Sequence, residues 1–287
     1  MGSMLVSPFR YPGGKTWLLG EVRCWLASRC LKPEVLVEPF AGGGSVSLYA
    51  IGEGLVDRAV LVELDPDVAC VWRVMLSADA DALCTKIRSF RADEGALNDA
   101  LAVAPDTEVN RAFAVLLRNR TNHGGILATG AGRLRRGERG KGLFSRWYPE
   151  TLARRIHGIH DMRGRLEFRE GDGLGVMGEW FGERAVWFVD PPYVEGNRNA
   201  GARLYRYSDV PVDSVLDACA GFGGDFLLTY EDDGLIREKV GGRGFRMASV
   251  EVKTRSHTRR NELLIGGAPR TEPVLVGGRS PVGALDL

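Results

Sequence analysis

The stretch Val35-Leu36-Val37-Glu38-Pro39-Phe40-Ala41-Gly42-Gly43-Gly44-Ser45 passes from a short apolar run, through three glycines, into a segment with the character of a helix. Glycines at a strand-to-helix turn let a ligand approach the backbone, and they leave the N–H groups at the start of the helix free to bind it. A glycine cluster is also common in plain tight turns. The residues around the stretch must therefore decide between a ligand loop and a turn.

Short apolar runs alternate with helix-like segments along most of the chain. The runs suit strands that are covered on both faces, and they lie at residues 35–37, 59–62, 186–189 and 226–228. Segments 16–27 and 68–75 have an amphipathic pattern, and the second follows Asp65-Pro66-Asp67, which favours the start of a helix. Strand followed by helix, repeated, predicts a doubly wound α/β fold.

This alternation stops between residues 77 and 165, where helix-like segments precede a stretch rich in glycine and arginine. We interpret 77–165 as a mainly helical insertion, and we assign 1–76 together with 166–287 to the domain that it interrupts. Near the C-terminus, strand-like runs at 245–252 and 262–265 flank a basic segment. They predict an antiparallel hairpin at the far edge of the sheet, so the sheet is expected to be mixed.

Charge balance and cysteine content exclude several classes of protein. Lys and Arg total 38 against 37 Asp and Glu, so any contact with nucleic acid must be local. The 5 cysteines have no metal-ligand spacing and their number is odd, which argues against a zinc site and a disulfide framework. No signal pattern and no apolar run near the roughly 20 residues of a bilayer span are present. We expect a cytoplasmic protein without metal or membrane partner.

An acidic pair follows the second apolar run. Glu63-Leu64-Asp65 lies roughly 20 residues beyond the glycines, where nucleoside-binding α/β folds place an acid on the ribose. Glu63 is the first candidate for that contact, and Asp65 could instead cap the next helix. A phosphate loop is excluded because Phe9 stands where its first glycine is required, and the dinucleotide pattern fails because Ser47 takes the third glycine position. A nucleoside without pyrophosphate fits better.

The most specific signal is Val186-Trp187-Phe188-Val189-Asp190-Pro191-Pro192-Tyr193, an apolar run that ends in an acid, two prolines and an aromatic residue. The prolines end the strand and fix the backbone, which orients Asp190 and turns the Pro191 carbonyl outward. Open α/β sheets hold their ligands at this edge. A rigid turn with a surface carboxylate is the alternative, and the glycine loop and Glu63 make it less favourable.

The insertion carries a local excess of positive charge, formed by Arg133, Arg135, Arg136, Arg139 and Lys141. Such a loop suits contacts to phosphates, and arginine is the usual reader of guanine edges. A solvated basic loop is the alternative interpretation. Three aromatic residues follow it and could stack on a nucleic acid or pack against the insertion itself; they are Phe144, Trp147 and Tyr148.

Taken in order, these motifs resemble the Dam-type family of DNA adenine N6-methyltransferases. The motif Phe9-Arg10-Tyr11-Pro12-Gly13-Gly14-Lys15 is similar to the family's N-terminal motif, which implies that Tyr11 and Lys15 contact S-adenosylmethionine. The glycine loop matches the segment on the methionine side of this cofactor, Glu63 matches the ribose acid, and Asp172 matches the acid near the cofactor adenine. The resemblance implies the following cofactor-binding residues: Tyr11, Lys15, Pro39, Phe40, Ala41, Gly42, Gly44, Ser45, Glu63, Asp65, Asp172 and Asp190.

The resemblance also implies a Rossmann-like methyltransferase fold and a catalytic tetrad, Asp190, Pro191, Pro192 and Tyr193. The Asp190 carboxylate and the Pro191 carbonyl would each accept a hydrogen from adenine N6, and Tyr193 would stack on a base flipped out of duplex DNA. The same residues permit cytosine N4 or adenine in RNA as the target, and a noncatalytic DNA-binding subunit is a further alternative. Methylation of cytosine carbon 5 is excluded because no Pro-Cys pair occurs.

Within the insertion, Asn119-Arg120-Thr121 matches the family's Asn-Arg-Thr, which helps bind DNA. The chain departs from the family just beyond, because His123-Gly124-Gly125 replaces a Phe-Asn-Gly run. The residues that would contact the target near that point are therefore undetermined. The resemblance implies double-stranded DNA as partner, a monomer or weak dimer, and a prokaryotic or phage origin; it leaves the recognised sequence and any restriction partner undetermined.

Overall fold

A computed structural model describes residues 6–10, 14–128, 130–137, 140–179, 181–182, 184–192, 207, 210–222, 225–253 and 259–267. Three predicted site residues, Tyr11, Arg139 and Tyr193, lie outside these ranges, as do residues 254–258 of the basic segment near the C-terminus. The account of the fold concerns the described residues alone.

A mixed sheet of seven strands forms the centre of the molecule, in the order β3-β2-β1-β4-β5-β7-β6. The strands are β1 Val35–Glu38, β2 Arg58–Glu63, β3 Leu166–Glu170, β4 Ala185–Val189, β5 Asp225–Glu231, β6 Arg246–Lys253 and β7 Arg259–Gly266. Strands β1 to β5 run parallel, while β7 pairs antiparallel with both β5 and β6. The predicted doubly wound α/β fold and the predicted antiparallel hairpin are both confirmed.

Helices cover both faces of the sheet. They are α1 Leu19–Ala27, α2 Ser45–Gly52, α3 Pro66–Leu76, α4 Ala80–Ser89, α5 Glu94–Ala102, α6 Glu108–Thr121, α7 Pro149–Asp161, α8 Gly173–Val176, α9 Val212–Gly221 and α10 Gly234–Gly242. Each predicted helix has its counterpart among these helices, and each predicted strand has its counterpart in the sheet. A short 3-10 helix, Thr16–Leu18, precedes α1 and accounts for the first part of the predicted helix at 16–27.

Two apolar clusters lie on opposite faces of the sheet because successive side chains of a strand point to opposite sides. In β1, Leu36 packs with α1, α2 and α3, whereas Val35 and Val37 pack with the cluster of α9 and α10. Burial of both faces explains why the strands read as uninterrupted apolar runs. At roughly 25 cal/mol per Å² of apolar surface, this burial is the main stabilising contribution.

The predicted insertion begins just after α3 and ends just before β3, and its helices pack on one side of the sheet domain. Leu83 of α4, Leu116 of α6 and Ile156 of α7 belong to the same apolar cluster as Trp72 of α3. The two segments therefore share one core. The division into a domain of residues 1–76 and 166–287 and an insertion of residues 77–165 stays a prediction.

Candidate functional site

A cavity of ≈ 880 Å³ of empty space lies at the C-terminal ends of β1, β2 and β4. Parallel strands end at the same edge of a sheet, so residues that are distant in sequence meet there. Every predicted cofactor residue that the structure describes lines this cavity, and the set is Lys15, Pro39, Phe40, Ala41, Gly42, Gly44, Ser45, Glu63, Asp65, Asp172 and Asp190. Their roles in binding stay predictions.

The glycine loop is fixed by close packing at Gly44, which begins helix α2 with a left-handed backbone (φ 61°). A Cβ on Gly44 would lie 2.6 Å from a Leu61 methyl group and 2.7 Å from the Trp72 ring, so a larger residue would displace the loop. Trp72 also donates its indole N–H to the Gly42 carbonyl at 2.9 Å. The loop is thereby a rigid wall of the cavity.

Glu63 organises the backbone around it. Its carboxylate accepts hydrogen bonds from the Gly42 N–H at 2.9 Å and from the Asp65 N–H at 2.7 Å. Burial raises the pKa of Glu63 to about 7, against the lowering effect of these N–H donors. The Asp65 side chain caps helix α3 by accepting from the Asp67 N–H at 2.8 Å, as the alternative interpretation of Asp65 predicted. Both acids nevertheless border the cavity.

Glu38 is a cavity residue for which the sequence analysis proposed no role. It ends β1, is 3% exposed, and accepts hydrogen bonds from the Ser47 N–H at 3.1 Å and the Ser47 hydroxyl at 2.5 Å. Burial raises the pKa of Glu38 to about 8, so this carboxyl is largely protonated at neutral pH. The signal in the sequence was an acid at the end of an apolar strand, as at Glu63 and Asp190.

Asp190 follows the end of β4, lines the cavity and is held by neighbours on two other segments. Its Oδ1 atom lies 2.9 Å from Lys15 Nζ and accepts the Thr229 hydroxyl at 2.8 Å. Lys15 is 3% exposed, and its Nζ also lies 3.4 Å from Glu262 Oε2. The lysine joins the N-terminal segment to strands β4 and β7 at the position of the predicted catalytic acid.

The two carboxylates keep Lys15 charged. Burial alone would lower the pKa of Lys15, but Asp190 and Glu262 together raise it above its usual value. Burial also raises the pKa of Glu262, although Lys15 opposes that shift. The sequence analysis did not identify Thr229 or Glu262. The available signal for Thr229 was a polar residue within the apolar run of β5, and the signal for Glu262 was an acid at the start of an apolar run.

Asp172 stands on the opposite rim. It is exposed, and it caps the short helix α8 by accepting from the Leu174 N–H at 3.1 Å. The next residue, Gly173, packs so closely that a Cβ would lie 2.1 Å from the Pro39 carbonyl oxygen. This contact joins α8 to the glycine loop, and Asp172 is thereby set beside the cavity.

Among the tetrad residues that the structure describes, Asp190 and Pro192 line the cavity. Pro192 is half-buried and Pro191 is buried. The predicted stacking residue Tyr193 lies outside the described residues. Tyr207, which the sequence analysis did not single out, also lines the cavity and is 45% exposed.

The predicted DNA-binding residues of the insertion fall into two groups. Asn119, Arg120 and Thr121 are 0%, 4% and 0% exposed, and they contact other parts of the protein. Thr121, for example, donates its hydroxyl to the Leu117 carbonyl one turn earlier in α6 at 2.7 Å. The second group is exposed, and it consists of Arg133, Arg135, Arg136 and Lys141. DNA contact by either group stays a prediction.

The aromatic residues beyond the basic loop mostly pack within the insertion. Trp147 is 7% exposed and meets Phe90 and Phe113 edge to face, at ring-centroid distances of 5.5 and 6.2 Å. Phe144 lies 6.3 Å from Phe90. Tyr148 is 51% exposed. Packing, the second interpretation of these residues, therefore describes Phe144 and Trp147.

Two searches of the described residues gave negative results. No group of three or more His, Cys, Asp and Glu side chains among them could hold a metal ion. No helix in the part of the chain that the structure describes is long and apolar enough to cross a membrane.

A seven-stranded mixed sheet with a glycine-lined cavity at its C-terminal edge agrees with the predicted Rossmann-like methyltransferase fold. The model of the D12 class N6 adenine-specific DNA methyltransferases matches residues 11–99, a segment that holds the glycine loop and Glu63 but ends before Asp190. Type II methyltransferase M.MjaIII of Methanocaldococcus jannaschii is 20% identical over 238 residues, which cover 74% of this chain and 78% of the relative. These findings confirm the resemblance to the Dam-type family and the predicted enzyme class, adenine-specific DNA methyltransferase.

Solved structures give weaker likenesses. The rRNA methyltransferase aviRa from Streptomyces viridochromogenes is 14% identical with a TM-score of 0.39, over 92% of this chain and 90% of that one. A putative RNA methyltransferase, PH1948 from Pyrococcus horikoshii, is 11% identical with a TM-score of 0.39, over 90% and 84%. At these scores nothing further is inferred from them.

Proposed function

We propose that this chain transfers a methyl group from S-adenosylmethionine to N6 of a flipped-out adenine at a short site in double-stranded DNA. One observation carries the proposal: Asp190 borders the same cavity as the glycine loop and is held there by Lys15 and Thr229. An acceptor for an amine thus lies beside a cavity with the features of a nucleoside site.

The residues of the cavity fit the cofactor. Its walls combine apolar side chains such as Phe40 and Val62 with the acids Glu63 and Asp190, as sites for small molecules commonly do. Lys15 lines the cavity, but Asp190 and Glu262 balance its charge. A positively charged ligand is therefore not repelled. When bound, S-adenosylmethionine supplies a methyl group on a positively charged sulfur.

Asp190 and Pro191 would orient the target amine. The lone pair of adenine N6 is delocalised into the ring, which makes the amine a poor nucleophile. If the Asp190 carboxylate and the Pro191 carbonyl each accept one N6 hydrogen, the amine is held with its lone pair directed into the cavity. In this arrangement the Asp190 carboxylate would also take the proton that N6 must lose once the new bond to carbon has formed.

Lys15 and Thr229 would keep the acceptor in place. Both contact the same oxygen, Oδ1 of Asp190, which fixes the rotation of the carboxylate. A fixed acceptor avoids the reorganisation that a mobile one needs during the reaction. Tyr193, the predicted stacking partner of the base, directly follows this part of the chain.

The recessed position of Asp190 supports the proposal that the base is flipped out. The Asp190 side chain is 21% exposed, and a base stacked inside a duplex cannot bring its N6 atom to a recessed carboxylate. The exposed residues Arg133, Arg135, Arg136 and Lys141 would bind the phosphates that flank the flipped base, together with Arg139 of the same loop.

The test uses purified protein, tritiated S-adenosylmethionine, and DNA and RNA from a host that lacks DNA methylation. Digestion to nucleosides and mass spectrometry then identify the product. The proposal predicts label in double-stranded DNA, recovered as N6-methyladenine. N4-methylcytosine, or label in RNA alone, would replace the proposed target with another amine, and the absence of label together with calorimetric binding of cofactor would indicate a noncatalytic subunit.

A further inference from the structure

Side chains of two insertion helices hold the N-terminal segment 7–10. Asn119 and Arg120 come from the end of α6, and Arg155 comes from α7. Each of them has a hydrogen bond with a backbone atom of the segment. Because Lys15 follows Arg10 by a few residues, these contacts bear on the predicted catalytic site.

Asn119 pairs with the backbone of Arg10 as a neighbouring strand would. Its Oδ1 atom accepts the Arg10 N–H at 2.8 Å, and its Nδ2 group donates to the Arg10 carbonyl at 3.2 Å and to the Gly125 carbonyl at 2.8 Å. The side chain is fully buried. A buried hydrogen-bonding group is costly to leave without its partner, so these contacts fix the segment strongly.

Gly125 permits the close approach of this segment. Its backbone is left-handed (φ 79°), and a Cβ at this position would lie 2.1 Å from the Arg10 carbonyl oxygen. Only glycine fits without displacing Arg10. Gly125, the last residue of His123-Gly124-Gly125, is thus a contact between the insertion and the N-terminal segment.

Neighbouring residues of the segment are held as well. Arg120 donates to the Pro8 carbonyl, and Arg155 donates to the Ser7 carbonyl at 3.0 Å. Phe9 is 6% exposed and belongs to the apolar cluster that contains Trp72. The segment is therefore fixed along its length by polar contacts on its backbone and by burial of one large side chain.

Segment 7–10 lies a few residues before Lys15, which contacts Asp190. Extended chain spans at most about 3.6 Å per residue, so the position of Arg10 limits where Lys15 can lie. On its other side, Lys15 begins the turn of residues 16–18, where the Leu18 N–H donates to the Lys15 carbonyl at 3.0 Å. We therefore expect displacement of Arg10 to move Lys15 relative to Asp190.

We infer that Asn119 is a positioning residue of the methyl transfer and not a DNA contact: with Gly125 and Arg120 it fixes segment 7–10, so that Lys15 meets Asp190. The inference rests on the proposed function, because the place of Lys15 matters for transfer only if Asp190 holds the amine. It also gives the buried residues Asn119 and Arg120 a role different from that of the exposed arginines of the insertion.

A double-mutant cycle tests the inference. Asn119→Ala, Lys15→Met and the double variant are compared with the wild type by single-turnover methyl transfer at saturating DNA and cofactor, with DNA affinity measured separately. We expect Asn119→Ala to lower the rate roughly 10- to 100-fold and to leave the Kd for DNA within about twofold. In the Lys15→Met background the same change should cost less than about threefold, since both changes disrupt one unit.

The opposite results overturn the inference. Multiplicative rate effects of Asn119→Ala and Lys15→Met would show that Asn119 does not act through Lys15. A raised Kd for DNA with an unchanged rate at saturation would make Asn119 a DNA contact. Hydrogen exchange of residues 6–18 separates these failures from a failure of the proposed function: an inactive wild type whose exchange rises in Asn119→Ala would retain the contacts and lose the methyl transfer.

A milder pair of variants covers the case in which Asn119→Ala does not fold. Arg155→Ala removes the contact to the Ser7 carbonyl, whereas Arg154→Ala, one residue earlier in α7, removes an exposed arginine that donates to Thr151. Both changes remove one positive charge. We expect the single-turnover rate to fall in Arg155→Ala only, with faster exchange of residues 6–18; equal rates in the two variants would contradict the inference.

Discussion

Charged side chains are buried around the cavity and exposed in the basic loop of the insertion. Lys15, Glu38 and Glu63 are 3%, 3% and 9% exposed, and each has a fixed partner among the neighbouring residues. Arg135, Arg136 and Lys141 of the insertion point into solvent. Burial strengthens electrostatic interactions and fixes their geometry, while exposed charges are screened by salt within about 10 Å.

This difference separates two tasks. Positioned charges suit a reaction in which one amine must be held within a few tenths of an ångström. Exposed, mobile cations suit a polyanion, because each of them can release a counterion from a phosphate. We therefore expect substitutions at the cavity to act on rate and on pH dependence, and substitutions in the basic loop to act on affinity and on salt dependence.

Removal of the carboxylate at the cavity should have the largest effect. Asp190→Ala is expected to lower the rate of methyl transfer about a thousandfold or more, equivalent to roughly 4 kcal/mol, because N6 loses the acceptor that holds it. Calorimetry should show cofactor affinity within about tenfold of the wild type. If Asp190→Ala retains more than about a tenth of the activity, then the proposed distinction between positioned and exposed charges is wrong.

Glu38 gives the next largest expected effect, on stability. Its folded pKa of about 8 lies above the ordinary value of 4.5, so the folded state holds a proton that the unfolded chain has released. The contribution of Glu38 to stability is therefore present below pH 4.5 and is lost as the pH rises toward and through about 8. The loss should be on the order of a few kcal/mol, measured by urea unfolding across this range.

Glu38→Gln should flatten that pH dependence, because the amide does not titrate. Some slope should remain, since burial raises the pKa of Glu63 in the same direction, to about 7. Glu34→Gln is the control: Glu34 is half exposed and pairs with Arg184 at the other edge of the sheet. Equal slopes in the wild type and Glu38→Gln would indicate that Glu38 is ionised in the folded protein.

The basic loop should give a smaller effect of a different kind. Replacement of Arg135, Arg136 and Lys141 by alanine is expected to weaken DNA binding and to reduce the slope of log Kd against log salt by about 0.9 for each lost phosphate contact. The single-turnover rate at saturating DNA should change less than about threefold. Fluorescence anisotropy between low and moderate salt measures the slope.

A matched control exists at the opposite edge of the sheet. Lys32, Arg58 and Arg184 are also exposed, and they pair with Asp57, Glu167 and Glu34 near the start of β1, β2 and β4. Their replacement by alanine removes the same charge, and exposed ion pairs contribute little to stability. If both triple variants change the salt slope equally, then DNA binding is not local to the insertion.

Local chemistry made much of the fold and of the cavity predictable. Apolar runs ended by glycine, acid or proline identified β1, β2 and β4, and the topology of a parallel sheet brought Glu63 and Asp190 to one edge. Thr229 and Glu262 could not be placed in this way. Thr229 reaches Asp190 through the pairing of β4 with β5, and Glu262 reaches Lys15 through the pairing of β5 with β7. Both registers depend on contacts between distant parts of the chain.

Asn119 shows the same limit in a helix. The match of Asn119 to the family's Asn-Arg-Thr motif implied a DNA contact, but Asn119 follows Ala112 and Val115 on the buried face of α6. Spacing of about 3.6 residues per turn was the available signal. The partner of a buried polar group, here the backbone of Arg10, is decided by tertiary packing.

The most direct test of the central claim is a map of modified bases in living cells. The chain is expressed in a host without DNA methylation, alongside Asp190→Ala, and the host DNA is sequenced by a method that reports methylated positions. We predict N6-methyladenine at one short recurring sequence in cells with the wild type, and none in cells with Asp190→Ala. Unmodified DNA in both cultures, or methylation only at cytosine, would contradict the account.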